Sequence, residues 1–133
     1  MSLIQLIYVS NLCADESVLH SIHSHAVRNN TAHTLSGMLL YSNGRFLQVL
    51  EGDSKDVHHT FGYIKQDQRH DHVTLVSEKE IAAKSFSHWN MGFKHLHKEE
   101  LLPFPEYAAY LDSSFENIKA NPGTALAMLK AFS

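Results

Sequence analysis

Residues 35–52, LSGMLLYSNGRFLQVLEG, predict the central hairpin of the fold, because two apolar runs in this stretch flank the pair Asn43-Gly44. An Asn-Gly pair between apolar runs is a strong local signal for a β-hairpin, since both central residues of a type I′ turn need positive φ. A two-residue turn also sets the register of the hairpin, and side chains alternate between the faces of each strand. One face then carries three cross-strand pairs, namely Tyr41 with Phe46, Leu39 with Gln48 and Gly37 with Leu50.

Gln48 is the one polar side chain on this otherwise apolar face. A primary amide can make up to about four hydrogen bonds, and a buried amide left without partners costs about 1–3 kcal/mol. Gln48 therefore needs protein partners, water or a ligand. The hairpin alone favours the commonest of these arrangements, a glutamine at an edge or one that reaches a neighbouring backbone group.

Composition limits the classes of protein that the chain can be. Its 133 residues suit one domain, and 44% hydrophobic residues allow a sizeable core. The net charge of −3 gives no basic surface for nucleic acid, and no apolar run approaches the ~20 residues of a membrane helix. The N-terminal residues lack the basic region of a secretory signal, and the lone Cys13 cannot form an internal disulfide. A reducing, cytoplasmic location fits best.

Eleven histidines are a high count for a chain of this length. A metal site needs several such side chains to converge with carboxylate or cysteine help. No histidine spacing matches HExxH or a zinc-finger pattern. The sequence therefore predicts no metal site and places most of the histidines on solvated faces.

The first half of the chain alternates strand and helix signals. Residues 3–10, LIQLIYVS, are apolar on both faces, which predicts a central strand covered on both sides. A helix follows from an N-cap at Asp15 to about Arg28, and the Asn-Asn-Thr run at 29–31 ends it, Asn30 being a helix-end residue that tolerates a left-handed conformation. After the hairpin, Asp53 caps a second helix that reaches about residue 66, with Asp56 placed as in a capping box.

The second half adds two strands and a helical end. Residues 72–77 predict a strand with weak alternation, 79–84 a connection, and 89–93 a last strand with Trp89 and Met91 on one face. The order β-α-β-β-α-β-β is that of an α+β, ferredoxin-like sheet with two helices on one face. Two further helices, after Pro105 and from Asn121-Pro122, would cover the other face. We thus expect a domain over 1–97 and a helical extension over 98–133.

The polar side chains that could converge in this fold share one kind of chemistry. They are a phenol, two amides, an indole and a thioether, from Tyr8, Asn30, Gln48, Trp89 and Met91. They include no activated nucleophile with its base, so they are poor tools for hydrolysis. They would suit a flat, hydrogen-bonding, redox-active heterocycle. Taken alone, the tryptophan and the methionine would be ordinary core residues.

The same residues form a pattern that resembles the BLUF domain, a blue-light sensor that uses flavin. The matching motifs are Tyr8-x-Ser10, Asn30, Ser36-Gly37 with Leu40-Tyr41, the run FLQVLEG from Phe46 to Gly52, Asp67-x-Arg69-His70 and Trp89-x-Met91. The resemblance covers residues 3 to about 96. It implies a ferredoxin-like fold with FAD between the first two helices, FMN or riboflavin being alternatives.

The resemblance also implies a role for each matching residue. Asn30 and Gln48 would bind the polar edge of the flavin ring, and Tyr8 would bind Gln48 and donate an electron and a proton under light. The remaining roles are Asp67 on the ribityl chain, Arg69 or His70 on the tail of the cofactor, Ser10, Trp89 and Met91 in the switch region, and Ile22 and Leu39 as apolar walls.

The family's mechanism then predicts a sensor and not an enzyme. The Gln48 amide would rotate or tautomerise after the transfer, and the last strand would relay the change to the C-terminal helices. No output domain follows residue 97, so we expect the short, stand-alone kind of BLUF protein, which signals to a separate effector protein and involves neither nucleic acid nor membrane. Apolar positions on the last helices suit a homo-oligomer or packing on their own sheet equally well.

Two other classes of protein remain open from the sequence, an enzyme of one of two kinds and a binding or structural module. A small flavin-dependent oxidoreductase would consume a reduced nicotinamide. An acylphosphatase-like hydrolase would want arginines near the first strand, and residues 9–15 contain none. A histidine-rich metal-binding or structural module would be colourless.

Overall fold

A computed structural model describes residues 2–88 and 90–133, and its described residues form one five-stranded sheet. The strands are β1 (Leu3–Leu12), β2 (Ser36–Ser42), β3 (Arg45–Asp53), β4 (His70–Glu80) and β5 (Gly92–His95). Their spatial order is β4-β1-β3-β2-β5, with β2 and β5 parallel and the other pairs antiparallel. The predicted α+β, ferredoxin-like fold is confirmed.

The Asn-Gly hairpin forms as the sequence predicts. Asn43 and Gly44 have φ values of 47° and 84°, the positive values that a type I′ turn needs. All three predicted cross-strand pairs of β2 and β3 are present. Gly37 lies where a Cβ atom would collide with the carbonyl oxygen of Val49, so this strand position needs glycine.

Two helices lie on one face of the sheet. A 3-10 turn at Glu16–Val18 leads into α1 (Leu19–His33), and Asp15 caps that turn by accepting the amide of Ser17 at 2.8 Å. The second helix, α2, spans Ser54–Gln66. Asp53 is at its N-cap position, but neither its side chain nor that of Asp56 makes the capping bonds that the sequence suggested.

The predicted end of α1 is wrong. Asn30 is an interior helical residue, and the left-handed conformation falls on Thr34, which has a φ of 56°. Asparagine usually ends helices because its side chain competes for nearby backbone groups. Here the Asn30 amide donates to the distant carbonyl of Asn90 instead, so the helix continues past it.

The last two strands also differ from their predicted bounds. β4 is longer than predicted. The weak alternation of apolar and polar residues in it reflects two register shifts against β1, one at Val76 and one near His72, whose φ is 53°. β5 begins only at Gly92, opposite Met38, so Met91 precedes the strand and does not lie on it. Trp89 lies outside the described residues.

The Leu-Glu-Gly end of β3 holds the connection between β4 and β5. Glu51 is fully buried, and its carboxylate accepts the Gln5 amide at 2.8 Å and the backbone amides of Phe86 and Ser85 at 2.8 and 3.1 Å. A buried carboxylate needs such donors. The connection is thereby attached to β3 three residues after Gln48.

The C-terminal helices cover the other face of the sheet, as predicted. They are α3 (Lys98–Leu101), α4 (Pro105–Leu111), α5 (Phe115–Ala120) and α6 (Pro122–Ala131). The helix predicted after Pro105 is divided into α4 and α5, because Ser114 caps a new helix by accepting the amide of Asn117 at 3.1 Å. Ile118, Met128 and Leu129 pack in one core with the face of β1 that carries Ile7 and Val9. None of the described helices is both long and apolar enough to cross a membrane.

Candidate functional site

The polar centre of the molecule is a buried pair of side chains on adjacent strands. Tyr8 on β1 and Gln48 on β3 are direct cross-strand partners, with 0% and 3% of their surfaces exposed. The Tyr8 hydroxyl donates to Gln48 Oε1. Since the amide oxygen faces Tyr8, the amide nitrogen points the other way, toward Met91 Sδ at 3.6 Å. The structure therefore brings three of the predicted residues together.

Burial determines the protonation state of Tyr8, the titratable member of this pair. It raises the pKa of the Tyr8 phenol, and the carboxylate of Asp67 raises it further. The phenol is thus neutral at physiological pH and serves as a hydrogen-bond donor. Its ring packs against Phe61 of α2, with 5.4 Å between the ring centroids, so the donor is held by apolar contact as well.

Asn30 lies on the inner side of α1 and is 1% exposed. Its Nδ2 donates to the carbonyl of Asn90 at 2.6 Å, and its Oδ1 accepts from Asn29 at 3.3 Å. Asn29 also donates to Thr60 of α2 at 2.9 Å. These bonds join the two helices and the segment that leads into β5.

Asp67 and Arg69 form an ion pair at the end of α2. Their closest atoms are 2.8 Å apart, and about three-quarters of each side chain is buried. Burial acts to raise the pKa of Asp67, but the hydrogen bonds from the side chain and backbone of Arg69 outweigh it and lower that pKa. The guanidinium also reaches Ser21 at 3.3 Å and His25 at 3.2 Å, both on α1. A fixed positive charge therefore lies beside the gap between the two helices.

His70 and Ser10 form a separate contact. His70 Nδ1 is 3.0 Å from the Ser10 hydroxyl, and its ring packs on Phe46 with 4.7 Å between centroids. The ring is 8% exposed, and burial lowers its pKa. The contact lies one inward-facing pair along the ladder from Tyr8 and Gln48, because Ser10 pairs with Phe46. His70 is thus buried against Ser10 and Phe46, on the same inward face as Tyr8.

The apolar residues expected as walls lie in the same layer as Tyr8. Ile22 of α1 and Leu39 of β2 are 7% and 1% exposed, in the cluster between the sheet and the two helices. Trp89 is the one predicted site residue outside the described part of the chain.

Sequence reasoning missed His23 and Asn29. The Nε2 atom of His23 lies 2.8 Å from the carbonyl oxygen of Met91. A spacing of seven puts His23 on the same side of α1 as Asn30, and that spacing was the one available signal for it.

The donor set fits a flavin such as FAD. The nitrogen of Gln48 carries two N–H groups and contacts a thioether, a weak acceptor, so it retains capacity for a ring carbonyl. The Asn30 amide lies on the same side of the sheet, and Arg69 supplies a cation of the kind that binds phosphate. Among residues 2–88 and 90–133, no group of three or more His, Cys, Asp or Glu side chains is arranged to hold a metal.

A surface groove lies elsewhere on the molecule. It has a volume of about 830 Å³ and is lined by residues of the hairpin turn, the end of β5 and the helices α3 and α4. No predicted site residue lines it. The groove is therefore a different site from the one that contains Tyr8 and Gln48.

Comparisons with known proteins match the part of the chain that contains these site residues. Residues 3–92 match a family model described as BLUF, sensors of blue-light using FAD. The photoactivated adenylate cyclase subunit beta of Euglena gracilis is 31% identical over an alignment of 119 positions that covers 85% of this chain and 14% of that protein. The alpha subunit is 30% identical over 84 residues, 63% of this chain and 8% of that protein. The chain thus spans a small part of the length of these relatives.

Solved structures show the same fold. A dark-state structure of the BLUF protein BlrB has a TM-score of 0.74 and 27% identity, covering 96% of this chain and 98% of BlrB. The photo-activated state of BlsA has a TM-score of 0.77 and 24% identity, covering 96% and 94% of the two chains. With a family match over more than half of its length and this agreement in fold, the chain belongs to the BLUF family of blue-light sensors that use FAD.

Proposed function

We propose that this chain senses blue light through a bound FAD and that Tyr8 and Gln48 are its light-responsive pair. One observation carries the proposal. The Tyr8 hydroxyl donates to Gln48 Oε1, and both residues are buried, while the partner of the amide nitrogen among residues 2–88 and 90–133 is the sulfur of Met91, a weak acceptor. An amide held firmly at one end and weakly at the other can reorient when its strong partner changes.

The first step in this proposal belongs to Tyr8. FAD supplies a ring that becomes a strong oxidant when it absorbs blue light. Tyr8 gives up an electron, and its phenolic proton leaves along the hydrogen bond toward Gln48 Oε1. The phenol becomes far more acidic when it loses an electron, so burial no longer retains the proton. Return of the electron and the proton leaves Tyr8 a neutral phenol, with no net chemical change.

The second step belongs to Gln48. A half-turn of the amide exchanges Oε1 with Nε2, so that the nitrogen faces the Tyr8 oxygen and the oxygen faces Met91. The thioether of Met91 has no proton to donate, and the amide oxygen then needs a different donor. A tautomer of the amide would change the same hydrogen bonds. Either form gives two discrete arrangements of one buried network, the requirement for a switch.

The remaining residues would bind the cofactor. We assign Asn30 and Gln48 to the polar edge of the ring, Asp67 to the ribityl chain, and Ile22 and Leu39 to the apolar walls. Of the two candidates for the cofactor's tail, Arg69 fits better than His70. Arg69 extends its guanidinium along α1, whereas the ring of His70 is buried against Ser10 and Phe46.

The output would leave through Met91 and β5. Met91 contacts Gln48 and directly precedes β5, which pairs with β2, and β2 packs on the C-terminal helices. We therefore treat residues 1–97 as the flavin domain and 98–133 as the layer that transmits the signal. Trp89, next to this path in sequence, remains a predicted relay residue.

We place the effector on a separate protein that contacts the C-terminal helices. Leu102 and Phe104 are exposed there by 68% and 41% and offer an apolar contact. The cyclase named in the Euglena relatives is a property of those proteins. A homo-oligomer through the same helices is the second arrangement that we propose.

An absorption spectrum of the purified protein, taken in the dark and just after blue light, tests the function. Flavin bands that move to the red and relax in darkness would support the sensor. Bands that bleach to reduced flavin would overturn it in favour of a flavin-dependent oxidoreductase. A colourless protein that takes up no flavin would overturn it altogether.

A further inference from the structure

Two side chains on one face of α1 form hydrogen bonds with the carbonyl groups of two consecutive residues just before β5. Asn30 donates to the carbonyl of Asn90 at 2.6 Å, and the His23 ring nitrogen Nε2 lies 2.8 Å from that of Met91. The two side chains are seven residues apart, about two helical turns, so they project from the same side of the helix. A carbonyl can only accept, so Nε2 of His23 carries the proton.

These bonds replace strand pairing. The parallel ladder with β2 begins at Gly92, and the two preceding carbonyls turn to α1 instead. His23 also packs on Phe93 of β5, with 5.2 Å between ring centroids. Its ring therefore contacts the segment on both sides of Gly92.

The segment bound by Asn30 and His23 contains Met91, whose sulfur is the weak acceptor next to the Gln48 amide. Met91 is 4% exposed, and its Sδ lies 3.6 Å from Gln48 Nε2. Its terminal methyl group lies close to Gly37 of β2. The position of the Met91 backbone thus decides how closely its side chain packs on the Gln48 amide.

We infer that His23 is a positioning residue that holds Met91 against Gln48 and thereby sets the lifetime of the light-induced state. This inference rests on the proposed function, because it takes Gln48 as the reorienting group. The amide must turn past the Met91 side chain to return to its dark orientation. A Met91 that is no longer held gives way more easily, so loss of the bond from His23 speeds the return. The same bond links the movement of Met91 to α1.

Two substitutions at one position separate the hydrogen bond from the volume of the ring. His23→Leu removes the donor and keeps an apolar side chain, whereas His23→Gln retains an N–H that can reach the same carbonyl. His20→Leu is the matched control, since His20 is exposed on α1 three residues earlier. None of these residues has been placed in the flavin site.

The first readout is the rate of dark recovery after a blue pulse. We expect His23→Leu to recover roughly three- to tenfold faster, the effect of losing part of the free energy of one half-buried hydrogen bond. His23→Gln should stay within about twofold of the wild type, and His20→Leu should match it. Unchanged or slower recovery in His23→Leu would overturn the inference, as would equal effects of the leucine and glutamine variants.

The second readout does not need a photocycle. Hydrogen–deuterium exchange of the peptide spanning residues 86–96, measured in the dark on flavin-bound protein, should be faster in His23→Leu and near wild type in His23→Gln. A wild-type protein without a light-induced shift would remove the proposed function and still leave this comparison informative. Equal exchange in all variants would remove the bond from His23 as the restraint on Met91.

Discussion

Replacing Tyr8 with phenylalanine removes one oxygen atom from the centre of the proposed switch. The phenyl ring keeps the contact with Phe61, and no cofactor-binding role is assigned to the hydroxyl. Flavin should therefore still bind. The variant has no phenolic proton, and its ring is much harder to oxidise, so we expect the light-induced red shift to disappear.

The cost to stability follows from the partner left behind. Gln48 Oε1 is buried and loses the donor that Tyr8 supplies. A buried acceptor without its partner costs about 1–3 kcal/mol. For a chain of this length, about 4 °C of melting temperature corresponds to 1 kcal/mol, so the variant should melt about 4–12 °C lower.

Tyr41→Phe is the matched control. Tyr41 lies on the same face of the sheet, is 1% exposed and donates to Glu16 at 2.5 Å, away from Gln48. Burial and then the hydrogen bond to Glu16 raise the pKa of its phenol to about 12, so it too is a neutral donor at physiological pH. The same chemical change at this position should leave the light-induced shift intact.

Dark and light absorption spectra, with thermal melts followed by circular dichroism, decide the outcome. A normal shift in Tyr8→Phe would refute the role of Tyr8 as donor. Loss of the shift in both variants would show that the experiment detects a general loss of packing and not the removal of a specific phenol.

Three further perturbations test other parts of the site. Gln48→Leu should bind flavin and show no light-induced shift, and a retained photocycle in absorption spectra would remove the amide from the mechanism. Arg69→Ala should weaken FAD binding by roughly tenfold or more while changing riboflavin binding little, because a lost charge-assisted phosphate contact is worth about 1.5–3 kcal/mol; equal losses in fluorescence titrations would contradict the assignment. The lowered pKa of Asp67 means that its carboxylate stabilises the fold above the ordinary carboxyl pKa and that this stabilisation is lost as pH falls through the lowered value. The melting temperature of Asp67→Asn should therefore lie below that of the wild type at about pH 7 and converge with it as the pH falls below the ordinary carboxyl pKa of about 3.9, and a constant difference would contradict the ion pair.

Local patterns in the sequence were sufficient to predict the hairpin register and the order of the strands and of the first two helices. The Asn-Gly turn set the register that puts Gln48 on an inward face, and the alternation of strand and helix signals predicted the order of the first seven elements. Both faces of the first strand are apolar, which predicted a layer on each side, and the C-terminal helices supply the second layer. Turn geometry and residue periodicity act between near neighbours, so they can be read without the fold.

Contacts between distant segments decided the rest. Asn30 should have ended its helix by local preference, but its amide bonds to a carbonyl 60 residues away and the helix continues. Met91 falls before the last strand because α1, and not a neighbouring strand, takes the carbonyls there. Ser10 contacts His70 across 60 residues without any periodic signal in the chain. His23 contacts Met91 across 68 residues, and its spacing from Asn30 indicated only a shared side of α1. Local patterns in the chain are enough to predict which faces are buried. They do not predict which buried polar groups bond to each other, because a hydrogen bond depends on positions in space that only the folded chain specifies.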